Sequence, residues 1–375
     1  MLEVADAFRR FGPEYLAQHG AALLPSHRRA LADLQLCRTP ALGGQRYRCD
    51  ACGHELFAWH SCQNRACPKC HTTQTQEWLQ QRHAQMLPTP YFHVVATVPQ
   101  PLRAVFRSNQ KLCYDLLLRA SAEALIELAR DPHYCGGTVA ILELLHTWTR
   151  QLHYHPHVHC LVSGGGVSAD GATWLPVRHR AYFVPVRALS RLIRGKFRAW
   201  LYKKCPTLPV PEYVWQQDWV VHCTPWAAGE TGVLDYLARY AFRVALTNCR
   251  LLAMDEQTVT FRYTDRETGR PERCTVTGHE FIRRFLQHVL PARFHKLRYF
   301  GLWHASKRAL LNRARLLLQL HTRQTTPPAT AAVAQGEGTT ARQTRFVFEG
   351  APCPHCKQGH LQHIEELPRT MIGGP

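Results

Sequence analysis

The stretch His153 to Gly166, H-Y-H-P-H-V-H-C-L-V-S-G-G-G, constrains this chain more than any other. Side chains alternate across a strand with period two. A strand here therefore puts Val158, Cys160 and Val162 on one face and His157, His159 and Leu161 on the other. Pro156 suits the first residue of such a strand, and the Gly164-Gly165-Gly166 run is expected to end it. Two imidazoles then project side by side, a grip for a cation. In a chain with 23 histidines, an isolated H-x-H is as readily a hydrogen-bonded or solvated pair, so the rest of the sequence has to decide.

Charge narrows the choice of partner. Lys plus Arg number 46 against 27 acidic residues, a formal charge of +19 with a pI near 9.6, and a field of that sign attracts polyanions. The basic residues recur from Arg28 to Arg323 rather than forming one tail. No apolar run approaches the roughly 18 residues of a membrane span, and no signal peptide opens the chain. The expectation is a soluble cytoplasmic protein that works on DNA or RNA, nucleoid-associated when bound to DNA, with no membrane partner. At 375 residues it has room for two or three domains.

Fifteen cysteines without an export signal argue against a disulfide scaffold. Cys49-x2-Cys52 and Cys67-x2-Cys70 approximate a four-thiolate zinc pattern, with a spacer slightly shorter than usual. Cys49, Cys52, Cys67 and Cys70 are thus the expected Zn²⁺ ligands, with Cys62, His60, Cys37 and His71 as spare donors. Arg46, Arg48, Arg65 and Lys69 of this module are candidates for phosphate contacts. Near the other end, Cys353-x2-Cys356 followed by His360 and His363 could close a further small zinc site. Cys113, Cys135, Cys160, Cys205, Cys223, Cys249 and Cys274 read as small buried side chains.

Between these ends the apolar pattern alternates strands and helices. A helical lead-in over 3 to 35 is broken at Gly12-Pro13 and Pro25; strands follow at 92 to 98 and 138 to 146, with a helical period from 102 to 130 between them. If 138 to 146 pairs with the histidine strand as a hairpin, His146 falls beside His157 and becomes the best third ligand, with Glu143 in reserve. His153 and His155 fall in the connection. A basic helix spans 186 to 204, further strands lie at 219 to 223 and 258 to 263, and an amphipathic helix covers 280 to 290. On a helix, Tyr236 and Tyr240 lie one turn apart with Arg243 beyond, although Val233, Leu237, Tyr240 and Val244 equally describe a core-packing face. Residues 322 to 342 lack any apolar period and read as a linker.

Several stretches together resemble the transposases of the insertion sequence 91 family, two-tyrosine members of the HUH single-strand endonucleases. They are S-C-Q-N-R-A-C-P-K-C at 61 to 70, Y-F-H-V-V-A-T-V-P at 91 to 99, L-H-T-W at 145 to 148, and H-P-H-V-H-C-L-V-S-G-G-G at 155 to 166. Y-L-A-R-Y-A-F-R-V-A-L-T-N at 236 to 248, F-I-R-R-F-L-Q-H-V-L-P at 281 to 291 and R-Y-F-G at 298 to 301 continue the match in the family's order. The chain departs from the family pattern at Ala66 and at Ala241-Phe242, neither a presumed ligand nor a nucleophile.

The resemblance implies a transposase that nicks and rejoins single-stranded DNA in rolling-circle-type transposition, acting on element ends and target DNA. Mg²⁺ or Mn²⁺ at His157, His159 and a third ligand would polarise the scissile phosphate. Tyr236 or Tyr240 would attack it to give a 5′-phosphotyrosine, with Arg239 and Arg243 near the phosphate. The expected fold is α+β: an N-terminal zinc-binding domain over 1–84, an antiparallel-sheet, ferredoxin-like or palm-like HUH core over 85–305, a basic helix and linker over 306–348, and a C-x-x-C tail over 349–375. A plasmid replication initiator or relaxase shares this chemistry, but the zinc module and the absence of a P-loop favour transposition. A non-catalytic zinc-dependent DNA-binding protein would be expected to lose the histidines or the tyrosines. A zinc hydrolase is disfavoured because Cys160-Leu161 stands where Asp-His should follow H-x-H-x-H.

Overall fold

The computed structural model describes residues 2–70, 85–226, 245–325 and 348–370. Its centre is an antiparallel sheet of β3 (Tyr91–Thr97), β4 (Thr138–Trp148), β5 (Tyr154–Val167), β6 (Trp174–Pro176), β7 (Val221–Trp226) and β11 (Leu297–Gly301). The strands run in the order β11-β4-β5-β3-β7, with β6 added to β5. The histidine strand β5 is therefore interior, laddered to β4 on one side and β3 on the other.

One face of this sheet is the core. Phe92, Val94, Ala96, Ile141, Leu145, Val158, Cys160 and Val162 are buried there against two helices, α4 (Gln110–Arg130) and α5 (Val186–Lys204). Helix α5 supplies Leu189, Ile193, Phe197 and Leu201, four residues apart along one face, as the sequence pattern predicts. The period read over 102 to 130 resolves into a short α3 (Arg103–Ser108) and α4, separated at Asn109.

The glycine run does not end β5. The strand continues to Val167, because Gly165 lies beneath the Trp174 indole, where a Cβ would sit 2.7 Å from the ring, and its neighbours lie equally close to the backbone of Pro90 and Thr138. The glycines admit close neighbours on both sides of the strand. At the sheet edge Gly301 adopts φ 58°, and a Cβ there would meet the Val139 carbonyl at 1.9 Å.

A second layer joins the two flanks of the core. Helices α1 (Val4–His19) and α2 (Pro25–Leu36) pack on α6 (Gly278–Leu286) and a three-stranded sheet, β10-β9-β8, of β8 (Leu251–Met254), β9 (Thr258–Thr264) and β10 (Pro271–Thr277). Phe8 meets Phe285 edge-on at 5.1 Å, with Phe11, Leu31, Leu34, Phe261 and Phe281 around them. Helix α1 runs unbroken through Gly12-Pro13, contrary to the expected break. An interior proline costs about 3 kcal/mol, and the burial of Phe8, Phe11 and Tyr15 on the same face outweighs it.

The third sheet, β12-β1-β2, consists of β1 (Gly44–Cys49), β2 (Glu55–Trp59) and β12 (Leu361–Leu367). The tail after residue 348 thus docks as a strand on the N-terminal module, with Gly44 opposite Leu367 and Cys49 opposite Leu361. Helix α7 (Arg308–Thr325) precedes it. The architecture is α+β, and no described helix is long and apolar enough to cross a membrane.

Candidate functional site

The β4–β5 ladder sets His146 opposite His157. Directly paired residues share a face, and His159 lies two residues from His157, so all three imidazoles emerge on the face away from α4 and α5. One nitrogen from each lies within 4.8 Å of the others. His146 is buried and stacks on Trp148 with ring centroids 4.6 Å apart.

Glu143, the reserve ligand, is three residues from His146 and so faces the opposite side. It pairs with Cys160 within the helix-covered core, where its Oε1 accepts from the Cys160 thiol at 3.5 Å and its Oε2 has no hydrogen-bond partner. Burial pushes this carboxyl well above its ordinary range, and its position on the opposite face keeps it from the histidines.

Neighbouring groups hold the rings. His157 Nδ1 donates to the His155 carbonyl at 2.7 Å, which fixes its tautomer and leaves Nε2 with its lone pair. His159 Nδ1 is 2.9 Å from His93 Nε2, and the two rings stack in parallel at 5.1 Å with 4° between their planes. Desolvation pushes His157 below the usual histidine value. It pushes His159 well below, with His157 and His93 adding to the effect. Neutral imidazole is the form that binds metal. The residues present therefore fit a divalent ion: three imidazole nitrogens converge, with hydrogen bonds behind two of them. His93 escaped the sequence reading, though strand parity could have found it. Its partner across β3–β5 is Leu161, on the histidine face. Trp226 stands edge-on to it at 5.7 Å.

Beside this site, Arg103 on α3 contacts His155 Nδ1 at 2.8 Å. One turn further, Arg107 lines a cleft of about 790 Å³ between α1, α2, the α3–α4 junction and α6, with Tyr15, His19, His27, Lys111 and Arg283. Arg107 Nη1 and His27 Nε2 are buried there without a hydrogen-bond partner. Burial, and then Arg107, hold His27 down to about 4.

The cysteines gather differently from the expected set of Cys49, Cys52, Cys67 and Cys70. Cys67 and Cys70 join Cys37 and Cys62, while Cys49 and Cys52 join Cys353 and Cys356; the thiol sulfurs of each group lie within 4.8 Å of one another. The physical reason is that β1 and β2 form a hairpin, which carries its own turn away from the Cys62–Cys70 loop, and that loop packs on α2. In the first group Cys37 is 3.5 Å from both Cys67 and Cys70, and Cys62 is 3.6 Å from Cys70. Four sulfurs around a tetrahedral zinc with bonds of about 2.3 Å lie about 3.8 Å apart, close to these distances. The expected phosphate-binding side chains of this module are already engaged: Arg46 and Arg48 with Glu55, Lys69 with Glu3, and Arg65 with the carbonyls of Pro291 and Phe294. Tyr236, Arg239, Tyr240 and Arg243 lie outside the described residues.

Comparison with known proteins agrees with this geometry. Residues 7–98 match the family described as "Transposase zinc-binding domain", and residues 140–310 match "Putative transposase". Over 387 residues the chain is 40% identical to "Putative transposase y4qJ" of Sinorhizobium fredii, covering 97% of this chain and 95% of that protein. It is 29% identical over 285 residues to "Transposase for insertion sequence element IS801" of Pseudomonas savastanoi pv. phaseolicola, covering 71% of this chain and 67% of that one. No solved structure matches. A zinc-binding module joined to this sheet defines a transposase. Within that class, the chain belongs to the insertion sequence 91 family.

Proposed function

We propose that this transposase nicks and rejoins single-stranded DNA at the ends of its element through a 5′-phosphotyrosine, in rolling-circle-type transposition. The observation that carries the reading is the convergence of His146, His157 and His159 on one sheet face. These residues would hold Mg²⁺ or Mn²⁺, which would supply Lewis-acid polarisation of the scissile phosphate. His93 and the His155 carbonyl orient two of the rings. Tyr240 or Tyr236 attacks phosphorus; the phenolic oxygen forms the new P–O bond, the bond to the 3′-oxygen breaks, and that oxygen leaves as a hydroxyl after taking up a proton. Rejoining runs the same exchange backward with the bond energy conserved. Two tyrosines allow one to hold a cut end while the other attacks a second strand, with Arg239 and Arg243 at the phosphates. The cleft at Arg107 and Lys111 offers cationic surface to the strand leading to the histidines. Zn²⁺ at Cys37, Cys62, Cys67 and Cys70 has no open position and serves structure.

The test uses purified protein, single-stranded terminal DNA and Mn²⁺. A covalent protein–DNA adduct forms with the wild type and not with the Tyr236→Phe, Tyr240→Phe double variant. An adduct that persists in the double variant sinks the nucleophile assignment, and one that persists in His157→Ala sinks the metal site.

A further inference from the structure

We propose that the beginning and the end of this chain are clasped together by a second structural zinc ion, bound by Cys49, Cys52, Cys353 and Cys356. Cys353 and Cys356 lie beyond both matched family regions, which end at residues 98 and 310. The clasp is independent of the DNA-cleavage reading.

The sulfurs already occupy the corners of a metal site. Cys49 is 3.7 Å from Cys356 and Cys52 is 3.8 Å from Cys353, against about 3.8 Å for the edge of a zinc–thiolate tetrahedron. A disulfide would need about 2.05 Å, and all four are free. Four thiolates in this arrangement select a soft, tetrahedral ion.

The backbone around the two pairs makes the same turn twice. After Cys49, the Gly53 N–H donates to the Cys49 carbonyl at 3.1 Å, and Gly53 adopts φ 69°. After Cys353, the Lys357 N–H donates to the Cys353 carbonyl at 3.0 Å, and Lys357 adopts φ 59°. In each pair the residue following the second cysteine turns left-handed, which bends the chain back and aims both sulfurs to one side. Glycine adopts this conformation freely and lysine does not, so the second turn is held by something besides local preference. The Gly359 N–H also points at Cys356 Sγ, 3.4 Å away, as expected where a thiolate needs its charge stabilised.

The module has little else to hold it. Its buried cluster consists of Tyr47, Cys49, Cys353 and Leu361, and its sheet has three short strands. A core of that size does not stabilise a fold alone, and small domains of this kind depend on a metal or cross-link. Two of its four buried residues are the proposed ligands. The ion thus joins a segment that precedes the catalytic sheet to one that follows it, and makes folding of residues 348–370 conditional on metal.

The test measures metal content and local protection on the full-length protein. Elemental analysis and native mass spectrometry should give two zinc ions in the wild type. The Cys353→Ser, Cys356→Ser variant should keep one, as should Cys62→Ser, Cys70→Ser. Hydrogen exchange in the tail variant should rise at residues 44–59 and 361–367 while the β4–β5 ladder keeps its protection. Should the tail variant fold poorly, stepwise chelation of the wild type provides the same reading: one zinc leaves together with protection of 361–367. Two zinc ions retained by the tail variant, iron in place of zinc, or Cys49–Cys356 and Cys52–Cys353 disulfides in peptide maps would each overturn the clasp.

Discussion

Replacing His93 with phenylalanine separates a ring that merely fills space from one that orients a ligand. His93 stacks on His159 with centroids 5.1 Å apart and planes within 4°, so phenylalanine keeps the shape and the packing against Trp226. What it removes is the 2.9 Å contact between His93 Nε2 and His159 Nδ1. That contact occupies Nδ1 of His159 and leaves Nε2 as the nitrogen available to a metal. Loss of such a partner behind a ligating histidine lowers metal affinity about 10- to 100-fold, or about 1.4–2.7 kcal/mol. Calorimetric titration of zinc-loaded protein with Mn²⁺ reads this directly, with His133→Phe at an exposed position as the control. The expected order of affinity is wild type and His133→Phe, then His93→Phe, then His157→Ala with no measurable binding. A His93→Phe dissociation constant within twofold of wild type, in a protein with an unchanged circular dichroism spectrum, would refute the orienting role.

The two candidate third ligands separate in the same assay. His146→Ala is expected to weaken Mn²⁺ binding more than tenfold, whereas Glu143→Gln, on the opposite face, leaves it unchanged. Arg107→Ala should weaken single-stranded DNA binding several-fold and reduce the slope of log K against log salt by about 0.7, the signature of one lost phosphate contact; an unchanged slope would remove the cleft from the DNA path. Acid stability supplies a further check through His288, which burial holds down to about 3 and whose Nε2 donates to the Leu152 carbonyl at 3.1 Å. Its folded value is depressed, so its contribution is complete above about 6.5 and is lost as pH falls toward 3, because only the unfolded chain takes up the proton. At pH 5 the loss is about 2 kcal/mol. Calorimetric melting at pH 7.5 and pH 5 should show a smaller fall for His288→Gln than for the wild type, and equal falls would refute the coupling.

The histidine site was largely legible because it depends on short-range regularities. Period two placed His157 and His159 on one face, and the short connection between β4 and β5 limited the hairpin register enough to bring His146 alongside. The same parity rule, applied to Glu143, would have removed it at once, since three residues of strand invert the face. The cysteines were not legible in this way. Cys49 and Cys67 look like partners on spacing, but spacing carries no information on a strand that arrives 300 residues later, and only the pairing of β12 with β1 brings Cys353 and Cys356 to Cys49 and Cys52. Gly164 to Gly166 and Pro13 misled for a related reason: as local punctuation they read as breaks, and close neighbours such as Trp174 and Phe285 override them.

The placement of the proposed metal sites follows from where apolar surface is abundant. The central sheet buries one face under α4 and α5 with more than thirty buried residues, so its strands are fixed without help, and a ligand cluster on the other face inherits that rigidity. β5 is the natural carrier because it alone has β4 and β3 on its two sides; ligands on β4 and β5, and a supporting ring on β3, then come from three adjacent strands whose spacing hydrogen-bond ladders set. The zinc-binding periphery is the reverse case. Its sheet β12-β1-β2 has a minimal core, so the cluster of Cys49, Cys52, Cys353 and Cys356 there serves the fold; the Cys37, Cys62, Cys67 and Cys70 group packs instead on the α1–α2–α6 layer, and all four positions of each are filled by protein. A three-histidine cluster on a rigid sheet leaves positions for a substrate oxygen, while four-cysteine clusters leave none. Donor type and count therefore distinguish the proposed chemical site from the proposed structural ones.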